Sequence, residues 1–148
     1  MTDLKKSIWI DAPPDVVFAY FTDAEKTARW CGVGAEVDPV PGGVYRLDMG
    51  VAGVFDGTIL AIEPGKSLSW EVRGPEGVAA PPSVIEISVT AEAGGTRVHI
   101  RQTGLTPPFD RMAGRGWDHH LARLSVSATG GQPSADPLCK RPIESLME

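Results

Sequence analysis

The sequence predicts an α+β fold: an antiparallel sheet of about seven strands, covered on one face by a long C-terminal helix, with two short helices after the first strand. Three observations carry this. Runs of alternating apolar and polar residues recur between Ala35 and Thr103, the period-two signature of strands with one buried face. Turns rich in Pro and Gly separate them at intervals of about 8–12 residues with short links, which suits antiparallel hairpins. From Pro107 to Thr129 the period changes, and Ala113, Trp117, Leu121, Leu124 and Ala128 fall on one helical stripe.

Taken in order, Lys5–Asp11 reads as a strand with Ile8 and Ile10 on one face and Ser7, Trp9 and Asp11 on the other. Ala12-Pro13-Pro14 stops it, and proline suits the first turn of the helix expected over Pro14–Phe21. Val17, Phe18 and Phe21 form its apolar face. Thr22 followed by Glu25 fits a capping box, so a second short helix is expected to run to Trp30, with Gly32 and Gly34 beyond it. Strands are expected near Ala35–Val40, Gly43–Val51, Val54–Glu63, Ser67–Arg73, Ser83–Ala91 and Thr96–Thr103, with a loop over Gly74–Pro82. Alternation groups Leu68, Trp70 and Val72, then Ile85, Ile87 and Val89, then Val98 and Ile100, and finally Tyr45, Leu47 and Met49. A sheet with one apolar face needs one cover, and only the late helix is large enough. Residues 1–129 therefore make one domain. The tail, 130–148, opens Gly-Gly-Gln-Pro and is expected to be partly flexible, with one helical turn over Ile143–Met147.

The 148 residues suffice for a single buried core. A net charge of -5 argues against nucleic acid, which selects basic surfaces. No run approaches the roughly 18 apolar residues of a membrane span, and Met1–Ser7 has no apolar leader core. The expected location is the cytoplasm, with Cys31 and Cys139 as free thiols.

Several strings resemble one known family. They are Ile10–Phe18, Thr22–Glu25, Ala28-Arg29-Trp30, Pro41–Leu47, Gly57–Pro64, Leu68-Ser69-Trp70 and Gly116–Leu124. Their order and spacing, over about residues 8–128, are similar to the family of the activator of the heat-shock-protein-90 ATPase, within the START or SRPBCC superfamily that also holds the birch-pollen allergen. The resemblance implies the helix-grip fold, a curved sheet wrapped on the long helix, with a cavity between them that often takes an apolar small molecule. It carries no family-wide catalytic set onto these residues.

Candidate ligand-binding residues are therefore Trp30, Tyr45, Trp70, Phe109, Trp117, His120 and Leu121, with Phe18 and Phe55 near the openings. Pockets combine aromatic walls with a few polar groups, although each of these aromatics is equally at home in a packed core. His120 flanks Trp117 and Leu121 and is the best polar candidate, as a base or hydrogen-bond donor. Its plainer role is a histidine satisfied at the helix edge. Asp118, His119, Arg115 and Arg123 are expected to point away or sideways. His119 lies about 100° round the helix from His120, so the two are not expected to clamp one metal ion. No metal site and no cofactor is expected: there is no nucleophile elbow, and the glycine pairs sit in hairpin turns. The expected function is binding of an apolar or amphipathic small molecule. Two alternatives stay open. One is a cyclase- or hydrolase-like enzyme using His120 with Arg101 or Tyr45. The other is a protein-binding role, toward a chaperone or a second copy.

Overall fold

In the computed structural model, residues 2–78 and 80–146 are described. Ala79, in the expected loop, and Met147, at the end of the expected last turn, lie outside them. Strand β1 (Thr2–Ile10) leads into helices α1 (Pro14–Thr22) and α2 (Ala24–Trp30). Strands β2 (Gly34–Val37), β3 (Tyr45–Asp48), β4 (Val54–Glu63), β5 (Ser67–Arg73), β6 (Ser83–Glu92) and β7 (Gly95–Leu105) follow, then helix α3 (Phe109–Ala128) and a one-turn helix α4 (Ile143–Leu146). The seven strands form one antiparallel sheet in the order β1-β7-β6-β5-β4-β3-β2. This is the helix-grip arrangement.

Register confirms the faces. Trp70 pairs with Ile85, Leu68 with Ile87, and Val89 with Val98, and all six are buried. The opposite face carries the exposed His99 and Arg101; Arg101 is bonded there to Asp3 at 3.1 Å. Trp9 lies on this outer face too and donates its indole N–H to the Glu92 carbonyl at 2.7 Å.

Several boundaries differ from the sequence reading: β1 begins at Thr2 rather than Lys5 and β2 ends at Val37 rather than Val40, and two further differences have a visible cause. Asp23, not Thr22, caps α2: its carboxylate accepts from the Lys26 amide at 3.0 Å, while Thr22 closes α1. The strand expected over Gly43–Val51 is confined to Tyr45–Asp48. The Asp48 side chain accepts from the Gly50 amide at 2.9 Å, and Gly50 takes φ +65, a left-handed conformation no strand contains. A 3-10 turn, Gly50–Ala52, results.

The C-terminal half of α3 is well packed. Leu121, Leu124 and Ala128 are buried in the main core beside Phe21 and Trp30. The Tyr20 hydroxyl donates to the Ser127 carbonyl at 3.0 Å, tying α1 to α3. Lys6 of β1 reaches Asp118 of α3 at 2.9 Å, and Asp118 stays exposed beside it. The N-terminal half of α3 is lined with small residues, and a Cβ built at Gly116 meets nothing within 4 Å.

The tail does not trail away. After Ala128 the chain folds back through a 3-10 turn, Pro137–Lys140, and buries Asp136, Cys139 and Ile143. A Cβ on Gly50 would stand 2.5 Å from the Cys139 carbonyl oxygen, so the tail seats directly on the β3–β4 turn.

Because Gly116 is helical and uncrowded, Gly116→Ala is expected to stabilise the fold by up to about 1 kcal/mol. Urea denaturation followed by circular dichroism will read this as a raised midpoint; a lowered midpoint would mean the position needs its missing side chain.

Candidate functional site

Where the N-terminal half of α3 stands off the sheet, a cavity of about 260 Å³ opens. Leu47, Phe55, Trp70, Val72, Ile85 and Leu105 wall it from the sheet side, and Phe109, Met112, Ala113, Gly116 and Trp117 from the helix side. Val78 and Pro81 close one flank; Leu138 and Ile143 of the tail close another. The lining is mostly apolar. A larger open groove, about 610 Å³, runs along the outer sheet face past Lys5, Ser7, Glu86, Ser88, His99 and Arg101. It is walled by polar and charged side chains, so the inner cavity is the better small-molecule site.

Few polar groups border the cavity. The Trp117 indole N–H donates to Gln102 Oε1 at 2.8 Å, and Gln102 Nε2 donates to Ser83 Oγ at 2.9 Å. This chain crosses from helix to sheet and fixes the Trp117 ring. The Trp70 indole nitrogen is buried and has no hydrogen-bond partner among the described residues, and its ring stacks on Tyr45 with centroids 4.2 Å apart. A buried donor without an acceptor is costly, so Trp70 is a ready donor for an oxygen brought by a ligand.

His120 adds a further polar group to the wall, whose other polar residues, beside Gln102 and Ser83, are Thr106, Arg115, Arg141 and Ser145. Behind it lies Asp136 from the tail, its side chain only 2% exposed. His119 Nε2 stands 2.7 Å from Asp136 Oδ1, and the Leu138 amide donates to the same oxygen at 2.9 Å. His120 Nδ1 lies 3.7 Å from Oδ2, as does Arg123 Nε. Arg123 spends its hydrogen bonds on main-chain carbonyls, Trp30 at 3.3 Å and Ser134 at 2.8 Å. Burial, opposed by Asp136, lowers the His120 pKa to about 4, so the ring is neutral at pH 7. Burial alone would raise the Asp136 carboxyl, but the Leu138 amide and His119 outweigh it and hold it below the usual range. Burial likewise pushes the nearby Cys31 thiol up to about 12, with Cys139 and Asp136 adding to the effect, which makes Cys31 an inert thiol at neutral pH.

Of the residues singled out from sequence, Trp70, Phe109, Trp117 and His120 meet at the cavity, as does Phe55. Trp30, Tyr45 and Leu121 do not line it; with Phe18 they are buried in the main core. Trp30 is committed there by its indole N–H, which donates to the Tyr20 carbonyl at 2.9 Å. Arg101 is on the far face of the sheet. His119 and Arg123 do not point away: both turn toward Asp136. Sequence reasoning missed Asp136 and the whole tail wall; Gln102, expected near the cavity mouth at the end of the last strand, does line the cavity. The only available signal was the Asp136-Pro137 pair, which reads as a turn start.

Comparison with known proteins places these features. A family model described as Activator of Hsp90 ATPase homolog 1-like protein matches residues 11–128. No curated protein matches the chain at significant similarity. Among solved structures, protein MLL2253 from Mesorhizobium loti superposes with a TM-score of 0.80 at 22% identity, covering 86% of this chain and 97% of that one. The Aha1 dimer from Colwellia psychrerythraea gives 0.79 at 18% identity, over 90% and 100%. DynU16, encoded in the dynemicin biosynthetic locus, gives 0.78 at 23% identity, over 88% of this chain but 48% of its own. At these identities the likeness establishes the fold. Asp136 lies beyond the family match. Among the described residues, no helix is long and apolar enough to cross a membrane.

The buried histidine sets a pH dependence. An unfolded His120 binds a proton below about pH 6.5, whereas the folded one does so only near pH 4. Between these values the unfolded chain holds more protons, so stability is full above the upper value and falls as pH drops toward the lower. Asp136 adds a loss of the same sign at lower pH, as its depressed carboxyl is protonated. Thermal melts from pH 7 to pH 4 should show a falling midpoint, and His120→Gln should flatten the upper part of that fall. A midpoint independent of pH across this range contradicts the burial argument.

Proposed function

The chain belongs to the Activator of Hsp90 ATPase homolog 1-like family, and from that premise we propose that it binds an apolar or amphipathic small molecule in the cavity between α3 and the sheet. One observation carries the reading: the helix that covers the sheet is packed at its C-terminal end and hollow at its N-terminal end. A volume of about 260 Å³ lies just under the range of about 300–1,000 Å³ usual for ligand pockets, so the ligand is compact. Its apolar body contacts Phe55, Phe109, Met112 and Trp117. An oxygen on it accepts from Trp70, or bonds Gln102 or His120. DynU16, with the same fold, comes from a biosynthetic locus for a natural product, which makes aromatic and polyketide-like compounds a sensible first probe set.

An enzymatic reading draws on His120 alone, a neutral ring on the cavity wall backed by a carboxylate. The partners expected for it from sequence are elsewhere: Arg101 on the outer face, Tyr45 in the core. If His120→Ala leaves turnover of every accepted compound unchanged, that reading fails.

Binding is tested by filling the cavity. Ala113→Phe places a ring in the void without touching the packed half of α3. Wild-type protein should bind a fluorescent apolar probe saturably at one site, and the variant should lose at least about tenfold in affinity while keeping its circular dichroism and melting midpoint. Equal affinity in a folded variant would place the probe elsewhere.

A further inference from the structure

We propose that His119, His120 and Asp136 form a binding site for one divalent transition-metal ion, of which Zn2+ is the reference, at the inner end of the cavity. One ring nitrogen of His119, one of His120 and an Asp136 oxygen all lie within 4.8 Å of one another. Two of the donors face each other without a partner: His120 Nδ1 and Asp136 Oδ2 are both buried and both lack a hydrogen bond, at a separation of 3.7 Å. That gap is too long for a hydrogen bond. It is right for a shared cation: two bonds of about 2.0–2.1 Å span 3.7 Å at an angle of about 130°.

The donor chemistry selects the ion. Two imidazoles and one carboxylate suit Zn2+ and its first-row neighbours, while Ca2+ and Mg2+ prefer oxygen sets. Three protein ligands are the number found where a metal keeps an open position. His120 borders the cavity, so that position is available to an oxygen of a cavity ligand.

Arg123 is the contrary feature, with its Nε 3.7 Å from Asp136 Oδ2. The competing role for the carboxylate is to anchor the tail through Arg123 and His119. Its geometry is weak on the Arg123 side, because the guanidinium is already fixed on the Trp30 and Ser134 carbonyls and leaves Oδ2 unbonded. Metal entry replaces the His119–Asp136 hydrogen bond of 2.7 Å with two coordination bonds, the His119 ring shifting its proton from Nε2 to Nδ1, and the Leu138 amide continues to orient the carboxylate.

The experiment uses the full chain without an affinity tag, stripped with a chelator and titrated with Zn2+, then with Co2+ as a coloured reporter. One equivalent should bind, with a raised melting midpoint and visible Co2+ bands of low-symmetry nitrogen–oxygen coordination. His119→Gln, His120→Gln and Asp136→Asn should each weaken binding at least about 100-fold; Asn at 136 keeps the oxygen that caps the 3-10 turn. Circular dichroism in chelator confirms that each variant is folded. The proposal is overturned if the stripped protein binds no equivalent of Zn2+. It is equally overturned if folded His119→Gln/His120→Gln protein binds as well as wild type, or if affinity is lost only in Cys31→Ser and Cys139→Ser. Binding of apolar probes to stripped protein is measured in parallel, so that failure of the metal site and failure of the cavity reading give separate results.

Discussion

Everything in this molecule depends on how one helix covers one face of a seven-stranded sheet. The sheet is apolar on a single side, and α3, the longest helix among the described residues, removes that side from water together with Val17, Phe18 and Phe21 of α1. Twenty residues at about 1.5 Å each give a rod of about 30 Å, and the sheet curves around it. The two ends of the rod differ in side-chain volume. Leu121 and Leu124 interlock with Phe21 and Trp30 at one end. Ala113, Gly114 and Gly116 leave the other end thin, and the adjacent sheet residues cannot cross the gap. A cavity is the direct result of that asymmetry, with no displacement of any element required.

The polar accounting separates the two ends as sharply as the packing. In the core, donors are satisfied by the main chain: the Trp30 indole and the Thr27 hydroxyl both donate to the Tyr20 carbonyl, each at 2.9 Å. Around the cavity the partners are side chains, as in the Trp117–Gln102–Ser83 chain, or are missing, as for Trp70 and His120 Nδ1. Buried polar atoms without partners are rare in folded proteins.

Much of the fold was legible in the sequence because one-sided burial writes itself as period two in the strands and as a stripe in α3. Trp70, Ile85, Ile87, Val98, Leu121 and Leu124 could be assigned their faces from spacing alone. Chain ends of elements were less legible, since they depend on single hydrogen bonds: the cap by Asp23 and the turn that ends β3 at Asp48 each rest on one carboxylate accepting from one amide. The site was legible only in part. A helical wheel reports angles about an axis and says nothing of what another segment brings to that axis. His119 looked outward because the wheel contains no tail. Trp30 and Tyr45 looked like cavity residues because aromatic type alone cannot tell a wall from a core.

The tail resolves this. Asp136 is 17 residues beyond His119 in sequence and lies past the family match that ends at residue 128. The same short segment supplies Leu138 and Ile143 to the cavity wall, and its position is fixed by the Cys139 contact at Gly50 and by the Asp136 contacts on α3. Whatever occupies the cavity therefore touches a wall that is held in place through His119, His120 and Arg123. The helix-grip framework provides the hollow and the two histidines, and the tail beyond the family match adds Asp136, Leu138 and Ile143 at one flank.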